Sequence, residues 1–489
     1  MLYITTEDVY CNYMHMASDT APAASSMKLG FREKFGFGLG DGACNFIWGT
    51  MGTFLLYFYT DIFGIAAGAV GALFLFARVL DAFADFGMGA IADRTQTRWG
   101  KFRPYLLWMC APLAVVFVLT FTTPDVGTTG KIIWAWVTYN LLMIFYTTVN
   151  IPYGALSGVM TDDPLDRTSL NAYRMGLAQV GGLVVNASTL PLIAWFGRHG
   201  QAGQVDQAHG YQMTVMVFAC ALVVLFPLTF LATRERIKPP QAHNERFRDD
   251  LKRLVENRHW VVMFLTGMIG LTFVIIRSGA MIYYCKYDLG FAKQTVDLLG
   301  FHADKTSFFL VLGNVVFIVG TTFTRHLVRL IGKKYSYVVT ELAMAAACAA
   351  FYWAPVDRPD LIFALQVGSS FIIGLNATLY WAMVADTADF SEWKYRTRST
   401  GVMYSGISFS HKVGLGVGGA FSGWLLSHYG YVANAVQSAQ SGQGILLMVS
   451  LIPAAGFALV AVVFLFYGLN EKFCHEIREE LAQRRALAA

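Results

Sequence analysis

Apolar stretches of about 20 residues recur twelve times along this 489-residue chain, and each is long enough to cross the hydrocarbon of a bilayer. They lie at 35–60, 64–92, 103–123, 131–158, 172–195, 212–233, 261–288, 300–325, 335–354, 361–388, 400–428 and 446–468. A bilayer offers the backbone no hydrogen-bond partner, so each stretch is expected to be a helix. The composition agrees: 55% of residues are hydrophobic and only 14% charged. The fold class expected is an all-α membrane protein.

Charge placement sets the topology. With both termini cytoplasmic, the inner connections carry 20 Lys and Arg and the outer ones six, which satisfies the positive-inside rule. The net charge of +5 is then a consequence of topology and not a nucleic-acid footprint. The polar segment 234–258, with Pro239-Pro240, divides two sets of six helices, 34–233 and 259–468. Tails of 1–33 and 469–489 flank them, the latter a candidate surface helix. Two six-helix bundles with a site between them near the midplane are the plan of a secondary transporter. The first 26 residues lack a basic segment followed by an apolar core, and Met27 is a possible alternative start.

Several chemistries find no support. The seven cysteines are scattered without a CxxC or Cys/His cluster, so neither a metal nor a cofactor is expected. A Walker A pattern is missing, so ATP is not the expected energy source. No nucleophile–base set points to an enzyme.

Charged residues inside the apolar stretches carry the functional expectation. Asp81 and Asp85 lie four apart in the second stretch, on one helix face, with Arg78 one turn earlier. A charge at bilayer depth costs roughly 3 kcal/mol or more, so such residues mark ion or proton sites. Lys412, in the eleventh stretch, needs a carboxylate partner. Asp81 or Asp85 is the candidate, and the link would join the two halves. The alternative for Arg78 and the two Asp is a structural ion pair.

These residues belong to a wider pattern. Tyr59-Thr60-Asp61, the segment Arg78–Asp85, Asp93-Arg94-Thr95, Arg98-Trp99-Gly100-Lys101-Phe102-Arg103-Pro104, Asn150-Ile151-Pro152-Tyr153-Gly154, Asp386-Thr387-Ala388-Asp389, Glu392 and Lys412 occur in order. The pattern resembles the glycoside–pentoside–hexuronide:cation symporters of the major facilitator superfamily. The spelling around Asp81–Asp85, Asn150–Gly154 and Gly430–Asn434 looks closer to glucuronide- and xyloside-type members than to melibiose permease. The resemblance implies a major facilitator fold in the bacterial inner membrane and uptake of a small sugar with a cation. It implies a cation site at Asp81, Asp85 and Thr148, and sugar contacts at Asn45, Asn150 and Arg174. Melibiose permease has an Asn where this chain has Ala84. That loss weakens a Na⁺ shell more than a proton site, so H⁺ is the favoured coupling ion and Na⁺ the alternative. Amides at Asn45 and Asn150 replace two acids beside Arg174, which suits an anionic hexuronide.

Further candidates complete the expectation. Asp41 lines the cavity or caps a helix, and Trp381 with Tyr380 offers the sugar a flat apolar face. Asp93, Arg94, Arg98, Arg103, Asp386, Asp389, Glu392 and Arg398, joined by Glu341, form a cytoplasmic gate. The partners expected are the sugar, the cation and the lipid bilayer, with a monomeric carrier. A lysolipid carrier of the same fold is the alternative, disfavoured by the polar trio Asn45, Asn150 and Arg174. A sugar sensor is disfavoured by the short tail.

Overall fold

The computed structural model describes residues 28–161, 163–199, 205–236, 254–291, 294–298, 301–395 and 400–488. It is built of helices with one small hairpin. α1 runs over Phe31–Thr50 and continues through wider turns at Met51–Leu55 and Phe58–Ile62. α2 is Ala67–Arg94, and α3 is Arg103–Trp108 with Cys110–Thr120, broken at Met109. α4 is Thr128–Met160, α5 Pro164–Phe196 and α6 Gln207–Ala232. The second half begins with α7, Arg258–Tyr283, extended by a wide turn at Tyr284–Asp288. A single helical run, Lys305–Trp353, supplies α8 and α9. α10 is Pro359–Tyr395, α11 Thr400–His428, and α12 Ala439–Val449 with Leu451–Phe464. α13, Glu471–Ala488, is the surface helix expected of the tail.

Two details depart from the sequence reading. The eighth apolar stretch does not start as helix: Phe301–Asp304 pairs antiparallel with Thr295–Leu298 as strands β2 and β1. The helix starts at Lys305, where the Asp304 carboxylate accepts the Ser307 amide at 3.0 Å, satisfying a donor that a helix start leaves unpaired. The turn between α8 and α9 is also shorter than the polar gap suggests. Helical conformation persists on both sides of Gly332, whose φ of 74° alone breaks the run. A side chain there would be strained, so glycine makes the corner.

Within the first bundle α1 packs on α5 through small residues. A Cβ at Gly42 would lie 3.2 Å from the Leu177 carbonyl oxygen, and one at Gly181 only 2.6 Å from that of Gly42. The backbones therefore touch, which fixes the α1 and α5 side chains against each other. A second close seam, α2 against α11, joins the two bundles. A Cβ at Gly71 would meet the Ala420 carbonyl at 2.7 Å, and one at Gly423 the Ala67 carbonyl at 2.5 Å. Large apolar side chains point outward from the helices, with Phe83 72% and Leu231 71% exposed, as suits contact with lipid.

α13 returns to the second bundle. Glu471 Oε2 accepts the Lys333 amide at 3.1 Å, and Arg484 donates to the Trp393 carbonyl at 3.0 Å. At the matching end of the first bundle, Asp166 at the start of α5 holds the start of α1. It accepts from the Leu29 amide and from Lys34 Nζ, each at 2.8 Å. The hydrogen bond from Lys34 holds the Asp166 carboxyl below its usual range. A depressed folded-state pKa stabilises fully above the ordinary value of 3.8 and is lost as pH falls through the lower folded value. Asp166→Asn is therefore expected to lower the melting temperature of the detergent-purified protein at pH 7. The gap from wild type should close as the pH falls below 3.8; a gap that persists there would refute the assignment.

Candidate functional site

The α2–α11 seam ends on a cluster of charge. Asp81 and Asp85 share one face of α2, four residues apart as a helix requires. From the other bundle, Lys412 of α11 reaches both: Nζ hydrogen bonds Asp85 Oδ2 and lies 3.4 Å from Asp81 Oδ2. Arg78 adds a second cation, with a nitrogen 3.4 Å from the same Asp81 oxygen. Its guanidinium also donates to the Tyr139 hydroxyl at 3.4 Å and stacks 5.0 Å from the Trp48 ring. Two carboxylates and two cations thus balance. Removing one partner of a buried pair leaves an uncompensated charge, so the cluster is held as a unit.

The two carboxylates are not equivalent. The Asp81 side chain is 4% exposed, whereas those of Asp85 and Lys412 are 24% and 25% exposed. Asp81 is an anchored floor. Asp85 and the lysine form its more exposed edge.

The hydroxyl of this site comes from Thr147 and not from Thr148. Thr147 Oγ1 donates to Asp81 Oδ1 at 2.8 Å and lies 3.3 Å from Asp85 Oδ1. Thr148 Oγ1 instead turns back to the Phe145 carbonyl at 2.7 Å. One residue on a helix is a rotation of about 100°, which carries Thr148 away from α2. The helical phase was legible: Met143, Thr147 and Asn150 share a stripe, and Thr148 lies off it.

The expected sugar residues gather on α1, α4 and α5. Arg174 Nε donates to Asp41 Oδ2 at 3.1 Å, and its guanidinium lies over the Tyr153 ring at 5.6 Å. Tyr153 is in turn fixed by a 2.7 Å bond from its hydroxyl to the Phe37 carbonyl. Asp41 is thus the ion-pair partner of Arg174, and among the described residues it caps no neighbouring helix. Asn150 Nδ2 donates to the Tyr146 hydroxyl at 2.9 Å and faces Cys44 Sγ at 3.8 Å. The amide of Asn45 returns to the Asp41 carbonyl at 2.8 Å. Across the seam, α10 and α11 supply an aromatic face. Trp381 lies parallel to Tyr404 at 6.3 Å and edge-on to His411 at 5.4 Å. Tyr380 turns inward, its hydroxyl donating to the Met263 carbonyl at 2.9 Å.

The gate candidates separate. Asp386 is buried and paired with Lys333 at 2.7 Å, a contact inside the second bundle. Arg103 donates to the Phe230 and Trp99 carbonyls at 2.6 and 3.1 Å. Glu235 accepts the amides of Lys101, Phe102 and Arg103 at 2.7–2.9 Å, so this corner is tied within the first bundle. Arg94 is exposed, and Arg98 stacks on Trp99 at 4.6 Å. Asp93 lies at the last turn of α2, and Asp389 and Glu392 near the end of α10. Arg398 lies outside the described residues. Glu341 does not join them: it is buried, and Asn376 donates to its Oε1 at 2.7 Å inside the second bundle.

In the sequence Asp61 stands out only as part of the Tyr59-Thr60-Asp61 motif, yet it holds the opposite end of the molecule. Its side chain is fully buried. It accepts from Lys286 Nζ at 2.8 Å and from the hydroxyls of Tyr287 and Tyr431, all three from the second bundle. Thr60 donates to it at 2.9 Å and bonds the Tyr283 hydroxyl at 2.8 Å. Asn434 completes the knot. Its side chain donates to the Asp61 carbonyl, and its amide donates to the Tyr287 hydroxyl at 3.0 Å. Its φ of 55° is a conformation that Asn tolerates better than most residues. Partners 225 and 370 residues away leave no local signal.

Known proteins show the same plan. The fold matches crystal structures of the nucleoside transporter NupG (TM-score 0.61, 14% identity, 89% of this chain and 99% of that one). It also matches a bacterial homolog of the human lysosomal transporter Spinster (TM-score 0.60, 13% identity, 94% and 97%). At these identities the likeness speaks for the fold. In sequence, the chain is 35% identical to the putative glycoside/cation symporter YagG of Escherichia coli, covering 94% of this chain and 96% of that one. It is 34% identical to the isoprimeverose transporter of Lactiplantibacillus pentosus (97% and 98%) and 32% identical to a glucuronide carrier protein homolog of E. coli (94% and 97%). The family described as MFS/sugar transport protein matches residues 36–471. The chain is an integral membrane protein of that family and belongs to the glycoside–pentoside–hexuronide:cation symporters of the major facilitator superfamily.

Proposed function

We propose that this protein imports a small glycoside or pentoside together with one proton by alternating access. The observation that carries the reading is Lys412, an amine from one bundle lodged between two carboxylates of the other. A tethered ammonium there competes with any mobile cation. A proton arriving at Asp85 removes one of the two negative charges that hold Lys412. The cross-bundle bridge weakens, and the bundles gain freedom to rock. The proton-motive force then contributes about 2.3 kcal/mol per charge for each 100 mV.

Sugar and cation are linked because both sites border the same seam. Asn150 and Thr147 lie on one helix, three residues apart, and face the sugar and cation clusters respectively. A sugar drawing α1, α4 and α5 toward the aromatic face of α10 and α11 therefore moves the cation ligands as well. Each ligand raises the occupancy of the state that binds the other. With both termini cytoplasmic, the Asp61 knot is an outer lock and the conformation is closed to the outside. Proton coupling is favoured over Na⁺ because Ala84 supplies no oxygen beside Asp85.

Anaerobic, lightly buffered cells expressing the protein should alkalinise their medium when a transported glycoside is added. Asp85→Asn should abolish that signal and uphill accumulation, while energy-independent sugar exchange survives. Uptake stimulated by Na⁺ with no pH change would overturn the proton assignment. Thr147→Ala should lower the proton concentration for half-maximal uptake about tenfold to a hundredfold, because the lost hydrogen bond, worth roughly 1.5–3 kcal/mol, favours the charged carboxylate over the protonated one. Thr148→Ala should leave that value near wild type. Asp61→Asn should populate an outward-open form. Spin labels at positions 127 and 436, on opposite sides of the knot, would then report a longer distance than in the wild-type background.

A further inference from the structure

The charge inventory of the sugar cluster points to the class of sugar. Two acids beside Arg174 in melibiose permease are amides here, and that alone suits an anionic substrate. The structure returns a charge from elsewhere. Asp41, four residues before Asn45, reaches Arg174 Nε at 3.1 Å. Among the described residues Asp41 is the only hydrogen-bond partner of Arg174, and both side chains are largely buried, 12% and 27% exposed.

This pair is rigidly built. The α1–α5 backbones touch at Gly42, next to Asp41, and again at Gly38, whose Cβ would meet the carbonyl of Tyr173, next to Arg174, at 2.8 Å. Tyr153 closes the face of the guanidinium at 5.6 Å. Arg174 therefore has little freedom to swing away from Asp41 toward a ligand. Its two terminal nitrogens remain able to donate to sugar hydroxyls, while its charge is already matched. The other cations of the site, Arg78 and Lys412, are matched by Asp81 and Asp85.

We infer that Asp41 is a specificity-determining residue that neutralises Arg174 and restricts the carrier to uncharged glycosides and pentosides. The inference rests on the sugar-carrier reading and narrows it. A uronate carboxylate beside Arg174 would lie next to the Asp41 carboxylate, and two like charges at such range repel strongly in a poorly hydrated site. A hydroxymethyl group, or the bare ring carbon of a xyloside, brings no such opposition.

The test uses matched sugars in counterflow by the purified full-length protein in proteoliposomes. Phenyl β-glucoside is compared with phenyl β-glucuronide, phenyl β-galactoside with phenyl β-galacturonide, and phenyl β-xyloside is included. The pairs differ at C6 alone, so their ratio reads the effect of charge. The wild-type protein should exchange at least one neutral glycoside, with uronides weaker by about tenfold or more. Asp41→Asn keeps the size of the side chain and frees the charge of Arg174; it should shift the neutral-to-uronide ratio toward the uronide. A wild-type protein that prefers a uronide overturns the role of Asp41 whatever the variant does, and so does an unchanged ratio in an active variant. Exchange of none of the five sugars overturns the sugar-carrier reading itself.

Discussion

An amine from one bundle held by two carboxylates of the other is the constraint on which the rest of this molecule depends. In water such a pair is worth little. At bilayer depth neither partner can be left alone, because an unpaired buried charge costs far more than the pair gains. Lys412 and the two Asp are therefore bound to meet in some arrangement, and the seam between α2 and α11 is where they do so. The small residues along that seam follow from this need. Gly416 faces the Arg78 side chain and Gly419 the Phe74 ring, and bulk at either would push apart the helices that carry the charges.

The seam has a second fastening. The Asp61 knot binds α1 to α7 and to the segment after α11, again with a buried carboxylate on the first bundle and donors on the second. The two fastenings differ in kind. Asp61 is saturated by Lys286, two tyrosines and Thr60, with a side chain sealed from solvent. Asp85 is a quarter exposed and shares its lysine with Asp81. A saturated, dry knot holds a conformation, whereas a shared, accessible one can exchange its cation. On the proposed reading, the first is the latch and the second the sensor.

Much of this was legible in the sequence. Charged residues in apolar stretches are rare enough that Asp81, Asp85 and Lys412 identified themselves, and the hydrophobic blocks gave the helices. Finer points depended on phase and distance. Thr147 and Thr148 are adjacent and chemically identical, so only the stripe shared with Met143 and Asn150 separates them. The strand Phe301–Asp304 opens an otherwise apolar stretch, and only its pairing with the Thr295–Leu298 segment marks it as a strand. Asp61 and its second-bundle partners, and Asp41 with Arg174, are joined across 133 residues or more, and no local pattern announces such pairs.

The balance of charges also bears on coupling. With Asp41 matched to Arg174, and two cations matched to Asp81 and Asp85, the empty site carries no net formal charge when His411 is neutral. A neutral site can pass between its two exposures without dragging an uncompensated charge through the bilayer core. With the proposed proton as coupling ion, loading it alone would make the site positive and leave the ammonium of Lys412 without a full partner. That state is costly to bury while the cavity remains wet. On the proposed reading, a sugar that fills the cavity would offer hydroxyls to the displaced amine and to the terminal nitrogens of Arg174, and so would lower the cost of closure. Cation without sugar is thus the state least able to reorient, and suppression of that state is what separates a symporter from a leak.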